Sequence, residues 1–130
     1  MKGLIVFAHG SSVPAANDVV RAVANKIRLR SGYDRVEAAF LEGGEPDLPH
    51  AVRSLVESGM RQIVVVPYFL TPGLHLTRDL PGIVAELRSI YQGVTIEVTE
   101  SLDGHPALLE AVLDRARQYH GGSGSEGQAG

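Results

Sequence analysis

The chain has 130 residues, 12 of them Lys or Arg against 15 Asp or Glu, with 44% hydrophobic and 21% charged residues and a formal charge of −3. That length and balance suit one globular domain with a sizeable core, leave no room for a second, and give no basic footprint for nucleic acid or an anionic membrane. Cysteine is absent, which excludes disulfides, thiolate metal sites and cysteine nucleophiles and leaves the chemistry to histidine, carboxylate and hydroxyl groups.

Apolar runs alternate with segments of helical period, the pattern of βαβ units around a parallel sheet. The first run, 3–8, meets polar His9-Gly10-Ser11-Ser12 with no small-residue cleavage site, so it reads as a strand and not a signal peptide. No stretch reaches the roughly 20 apolar residues that span a bilayer, and a cytoplasmic location is expected. A helix over 14–30 follows, started by Ser11 and Ser12, with Val19, Val20, Val23, Ala24 and Ile27 as its inward stripe and Ser31-Gly32 as its end. A second strand spans 35–41. Glu45-Pro46-Asp47-Leu48 opens the next helix, with Pro46 in its first turn, and Gly59 closes it.

The third strand is expected over 62–68. Residues 71–78 read mostly as loop, because Asp79 before Leu80-Pro81 looks like an N-cap, with Ile83, Val84, Leu87 and Ile90 facing inward. A fourth strand over 94–98 leads to a helix from His105-Pro106 through Leu108, Leu109, Val112 and Leu113. Residues 121–130 are Gly- and Ser-rich and have nothing to bury, so they read as a flexible tail behind a domain of 1–120. The expected fold is α/β, a single small doubly wound domain with a four-stranded parallel sheet, helices on both faces and a flavodoxin-like strand order. Its exposed edges make a homodimer a reasonable expectation.

Open parallel sheets bind ligands beyond the carboxyl ends of their strands. Three ionisable residues fall there: His9 after the first strand, Glu42 after the second, and His75 in the loop after the third. Gly10 lets the chain turn sharply so that His9 stays at the rim. Histidine as a residue type ligates transition metals and carries protons near neutral pH. Strands one and three are neighbours in a doubly wound sheet, so the two imidazoles can meet, with Glu42 as a third ligand or as a base. Glu45 precedes Pro46 and suits a helix start instead, and His105 has an ordinary capping explanation. Ser11 lacks the Gly-x-Ser-x-Gly elbow of a hydrolase, and neither a Gly-x-Gly-x-x-Gly run nor a P-loop lysine follows strand one.

Taken in order, Phe7-Ala8-His9-Gly10-Ser11, Ala39-Phe40-Leu41-Glu42 with Pro46, Val65-Val66-Pro67-Tyr68-Phe69-Leu70 and Gly73-x-His75-x-x-Arg78-Asp79-x-Pro81 resemble the class II chelatases, most closely the sirohydrochlorin chelatases. The resemblance spans about residues 2–119. It implies ATP-independent insertion of a divalent metal, Co²⁺ first and Fe²⁺ or Ni²⁺ as alternatives, into sirohydrochlorin or a related tetrapyrrole, a lyase-type reaction serving cobalamin or siroheme synthesis. A non-catalytic metal or tetrapyrrole carrier is the alternative. The resemblance assigns His9 and His75 to metal binding and Glu42 to the acidic catalytic position. It requires no cofactor beyond the metal substrate, and it implies a homodimer. The substrate's carboxylates would be gripped by Arg78 and by the start of the first helix at Ser11 and Ser12. One departure is that Ser12-Val13-Pro14 stands where many relatives carry a basic residue.

Overall fold

The computed structural model describes residues 1–71 and 73–119, and the side chains of 74–76 lie outside that description. Strands and helices alternate without exception: β1 (Lys2–Ala8), α1 (Pro14–Arg30), β2 (Arg35–Phe40), α2 (Leu48–Glu57), β3 (Gln62–Pro67), α3 (Leu74–Ile90), β4 (Thr95–Val98) and α4 (Pro106–Arg117). All pairings are parallel, in the order β2-β1-β3-β4, the doubly wound order expected from the sequence. β1 is buried from Gly3 to Ala8, because a central parallel strand is covered on both faces and needs no polar alternation.

On one face Ile5, Phe7, Ile63, Val65 and Ile96 meet Leu48, Val52 and Leu55 of α2 and Leu80, Val84 and Leu87 of α3. On the other, Val6, Ala8, Ala38 and Phe40 meet Ala24, Val20 and Ile27 of α1. Each fully buried Leu, Ile, Val or Phe side chain here contributes about 1.5–3 kcal/mol through removal of its surface from water.

Four local expectations are corrected. Val19 is exposed: it lies on a flank of α1, while Val20, Ala24 and Ile27 share the inward line. Neither Ser11 nor Ser12 caps α1; Val13 is its N-cap residue, with Pro14 in the first turn. At α2 the cap is Asp47, whose carboxylate accepts from the His50 N–H at 2.9 Å, and the first-turn proline is Pro49. Pro46 instead turns its carbonyl to the Phe40 N–H at 2.9 Å and so braces the end of β2.

The largest difference is at α3, which begins at Leu74 after Gly73 and not at Asp79. Both the backbone N–H and the hydroxyl of Thr77 donate to the Gly73 carbonyl at 3.0 Å, closing a turn through what reads as loop. Pro81 is therefore an interior proline. It removes one helical hydrogen bond, and burial of Leu80, Val84 and Leu87 on either side of it outweighs that loss. Ile90, expected inward, is exposed at the helix end.

The expectation of helices on both faces holds through α1 against α2 and α3, but α4 buries none of its residues. The tail expected over 121–130 lies outside the described residues.

Candidate active site

His9 and Glu42 are brought together by the sheet itself. Beyond the last strand residues the β1–β2 ladder continues for two rungs, Leu41 N–H to the Ala8 carbonyl at 2.9 Å and Glu42 N–H to the His9 carbonyl at 3.0 Å. The two side chains consequently stand side by side, with His9 Nδ1 3.9 Å from Glu42 Oε2, and are 57% and 70% exposed. A first-row metal ion takes nitrogen and oxygen ligands at about 2.0–2.2 Å, so a gap of this size lets one ion touch both. Exposure leaves the pair open to an ion arriving from water and to a substrate laid over it. The imidazole is steadied from below by an edge-on contact with Phe69 at 6.2 Å between centroids, and Phe69 in turn meets Phe7 edge-on at 6.1 Å.

The loops carrying this pair pack backbone against backbone, and two glycines make that possible. Gly10 has φ +93°, and a Cβ there would lie 1.7 Å from the Glu42 carbonyl oxygen; Gly43 has φ +74°, and a Cβ there would lie 2.8 Å from the Ser11 carbonyl carbon. Asn17, buried on the first turn of α1, ties both loops. Its Oδ1 accepts from the Ser11 N–H at 3.0 Å and its Nδ2 donates to the carbonyls of Ser11 at 2.8 Å and Gly43 at 3.1 Å. The sequence reading passes over Asn17, although one signal for it exists: it falls in phase with the inward residues Val20, Ala24 and Ile27, where a polar side chain needs a partner. Arg21 adds a second clasp, donating to the Glu45 carbonyl at 2.8 Å while its guanidinium lies 5.1 Å from the Phe40 ring centroid.

His75 is the second residue of α3, on the connection that leaves β3 at the same edge of the sheet. Its side chain lies outside the description, so His9 and Glu42 are the described part of the expected trio, and no group of three potential metal-holding residues occurs among the described residues. Arg78 is exposed one turn further along α3. Ser11 is half-buried, with its hydroxyl accepting from the Val13 N–H at 3.0 Å, a turn-forming role and not that of a nucleophile poised on a base. Ser12 is exposed. Val13 and Leu70 are exposed apolar residues on the two loops that leave β1 and β3.

Two further histidines at this edge are occupied in capping. His50 Nδ1 sits 2.6 Å from Asp47 Oδ1, and although partial burial pushes the Asp47 carboxyl up, the backbone N–H and imidazole of His50 together hold it below the ordinary value. His105 accepts from the Ala107 N–H at 3.0 Å at the start of α4, the capping role its sequence position suggests.

A family profile described as CbiX matches residues 3–119. The sirohydrochlorin cobaltochelatase of Methanococcus maripaludis is 39% identical over 93 residues, covering 72% of this chain and 62% of that protein. The chloroplastic sirohydrochlorin ferrochelatase of Arabidopsis thaliana is 33% identical over 113 residues, covering 87% of this chain and 50% of that protein. The solved structure of the sirohydrochlorin chelatase SirB from Bacillus subtilis subspecies spizizenii in complex with cobalt superposes with a TM-score of 0.82 at 25% identity, covering 90% of this chain and 50% of that one. The matched unit thus spans between half and two thirds of these relatives.

Proposed function

Because the chain belongs to the CbiX family, we propose that it is a sirohydrochlorin chelatase, a lyase-type enzyme that inserts a divalent metal ion into the tetrapyrrole without ATP. Co²⁺ is the foremost metal, with Fe²⁺ and Ni²⁺ as alternatives that an N/O ligand set admits. The observation that carries this reading is the solvent-open pair of His9 and Glu42, 3.9 Å apart at the carboxyl edge of a parallel sheet. No cofactor besides the metal substrate is required.

Insertion replaces two pyrrole protons by one M²⁺, so the site must hold an ion loosely and accept protons. His9 and His75 present the ion, and Glu42, beside His9, takes the two pyrrole protons in turn and passes each to water. Without thiolates the ion is not trapped, which suits transfer rather than storage. The exposed apolar side chains of Val13 and Leu70 flank the macrocycle, while Arg78 and the start of α1 at Ser11 and Ser12 meet its carboxylates. The working unit is the domain 1–120, acting as a homodimer.

The test follows sirohydrochlorin absorption anaerobically with Co²⁺, Fe²⁺ and Ni²⁺ in turn. Many turnovers per protein, above the uncatalysed rate, are expected with Co²⁺. No acceleration with any of the three would overturn the proposal, and a single stoichiometric turnover would identify a carrier instead.

A further inference from the structure

Because α3 begins at Leu74, Asp79 loses the capping role that its place before Leu80-Pro81 implies. An N-cap residue stands at the helix boundary, whereas Asp79 is the sixth residue of α3, inside its second turn. The helix is continuous through that turn, since Thr77 donates to the Gly73 carbonyl by both its N–H and its hydroxyl at 3.0 Å. Aspartate is a poor residue for a helix interior, because its short carboxylate competes for backbone groups, and Asp79 is exposed, so apolar burial does not explain it either.

What the continuous helix supplies is a neighbour. Residues four apart stand one above the other on a helix face, with Cβ atoms about 5–6 Å apart. Four residues before Asp79 is His75, in the first turn. Every Cα–Cβ bond in a helix tilts toward the N-terminus, which is the direction of His75 from Asp79. The other positions at one-turn spacing are Leu76, Gly82 and Ile83, none of them ionisable. Arg78 lies about 100° around the axis from Asp79, on another face. Arg88, the next basic residue of α3, is occupied with the Ile96 carbonyl at 2.8 and 2.6 Å.

A histidine that holds a metal ion through one ring nitrogen carries a proton on the other. A carboxylate that accepts this proton fixes the orientation and tautomer of the ring and makes the ligating nitrogen more basic. The chain builds such a pair elsewhere from aspartate and histidine close together on one helix, with Asp47 Oδ1 2.6 Å from His50 Nδ1 at the start of α2. At His75 the spacing is four and the order is reversed, so the carboxylate follows the imidazole along the helix.

We infer that Asp79 is the positioning residue of His75: its carboxylate accepts the ring N–H of the imidazole that presents the ion. The inference rests on the reading of His75 as a metal ligand, and it names the group that holds that ligand in place. Asp79 touches neither the ion nor the macrocycle. It sets how firmly His75 captures the ion, because a more basic nitrogen binds more tightly.

Two measurements on the full chain test this, long-range ¹H–¹⁵N correlation of the histidine rings without metal and calorimetric titration with Co²⁺ alone. On Asp79→Ala the ring nitrogens of His75 should shift while those of His9, His50 and His105 stay where they are. The same variant should bind Co²⁺ about 10- to 100-fold more weakly, the usual cost of losing such an outer partner. Its melting temperature should hold or rise, because alanine is the best helix former. Asp79→Glu, which keeps a carboxylate one turn from His75, should restore most of the affinity. Unchanged His75 ring signals in Asp79→Ala would overturn the inference, whether or not Co²⁺ binding falls, since a fall without them would make Asp79 act on the ion itself. Undiminished Co²⁺ binding by His75→Ala would instead overturn the reading of His75 as a ligand, and the inference with it.

Discussion

Asn17 grips Ser11 by both of its backbone polar groups, accepting from the N–H at 3.0 Å and donating to the carbonyl at 2.8 Å, and so fixes the turn that follows His9. The same Nδ2 reaches the Gly43 carbonyl next to Glu42. Asn17→Ala leaves these part-buried backbone groups without their partner, a loss of about 1 kcal/mol, the usual net worth of such hydrogen bonds where water can partly replace them. Chemical denaturation should register that loss. Metal insertion should fall further than stability explains at temperatures where the variant is fully folded, because the two loops lose their common tie.

His9→Ala and His75→Ala should each cut metal insertion severely, by about 10²-fold or more, a cost typical of losing a group that acts on the reacting centre. Neither should cost much stability: His9 is largely exposed, and His75 sits in the first turn of α3 at the rim. Steady-state insertion rates together with thermal melts check this, and near-normal insertion by either variant would make that histidine structural only.

Glu42→Gln keeps the size of the side chain and removes its capacity to take a proton. If Glu42 acts as base, kcat falls while the dependence on metal concentration is unchanged. A rise in the metal concentration needed for half-maximal rate, at constant kcat, would instead make Glu42 a metal ligand beside His9.

Gly10→Ala should be among the most damaging single changes in the chain. The added methyl meets a carbonyl oxygen and the residue must hold φ +93°, a conformation that costs other residues about 1–3 kcal/mol before the clash is counted. A lowered melting temperature with loss of activity is expected. Gly32→Ala is the control: it also has positive φ, at the far edge, but meets nothing within 4 Å, so it should lose stability without losing specific activity in the folded fraction.

Asp47 provides a pH signature. Its carboxyl is held below its ordinary value in the folded chain, so its contribution is fully present above the unfolded pKa and is lost as pH falls through the folded one. Asp47→Ala should therefore cost about 0.5–2 kcal/mol near neutral pH, the usual worth of an N-cap. The gap between wild type and variant should narrow as the pH drops below about 4, near the reference value of a free aspartate. Urea melts across pH 2.5–7 would show the two curves converging in acid.

The sheet and its order are readable from the residues because buried parallel strands are short apolar runs and the crossovers between them follow one hand. The edge positions of His9, Glu42 and His75 follow from the strand ends alone. Asn17 is not readable in that way: its second partner, Gly43, lies 26 residues on and reaches it only through the β1–β2 pairing. The start of α3 is hidden because Asp79 and Pro81 carry the signature of a helix opening, while the turn that closes at Gly73 depends on Thr77, which looks equally at home in a loop. Val19 differs from the inward Val20 by a single helical step, too fine a distinction for apolar spacing to make when both flanks of α1 are apolar in part.

The two extra rungs that carry the β1–β2 ladder out to His9 and Glu42 mean that the distance between these side chains is counted in residues along a register. Such a pair tolerates many changes of residue type in the strands beneath it but not a change in their number. One residue inserted or deleted between Arg35 and Glu42 would turn Glu42 to the other face of the sheet. Length variation can be absorbed at the turn around Gly32, at the opposite edge. Deletions and insertions, more than substitutions, mark the boundary of what this site can survive.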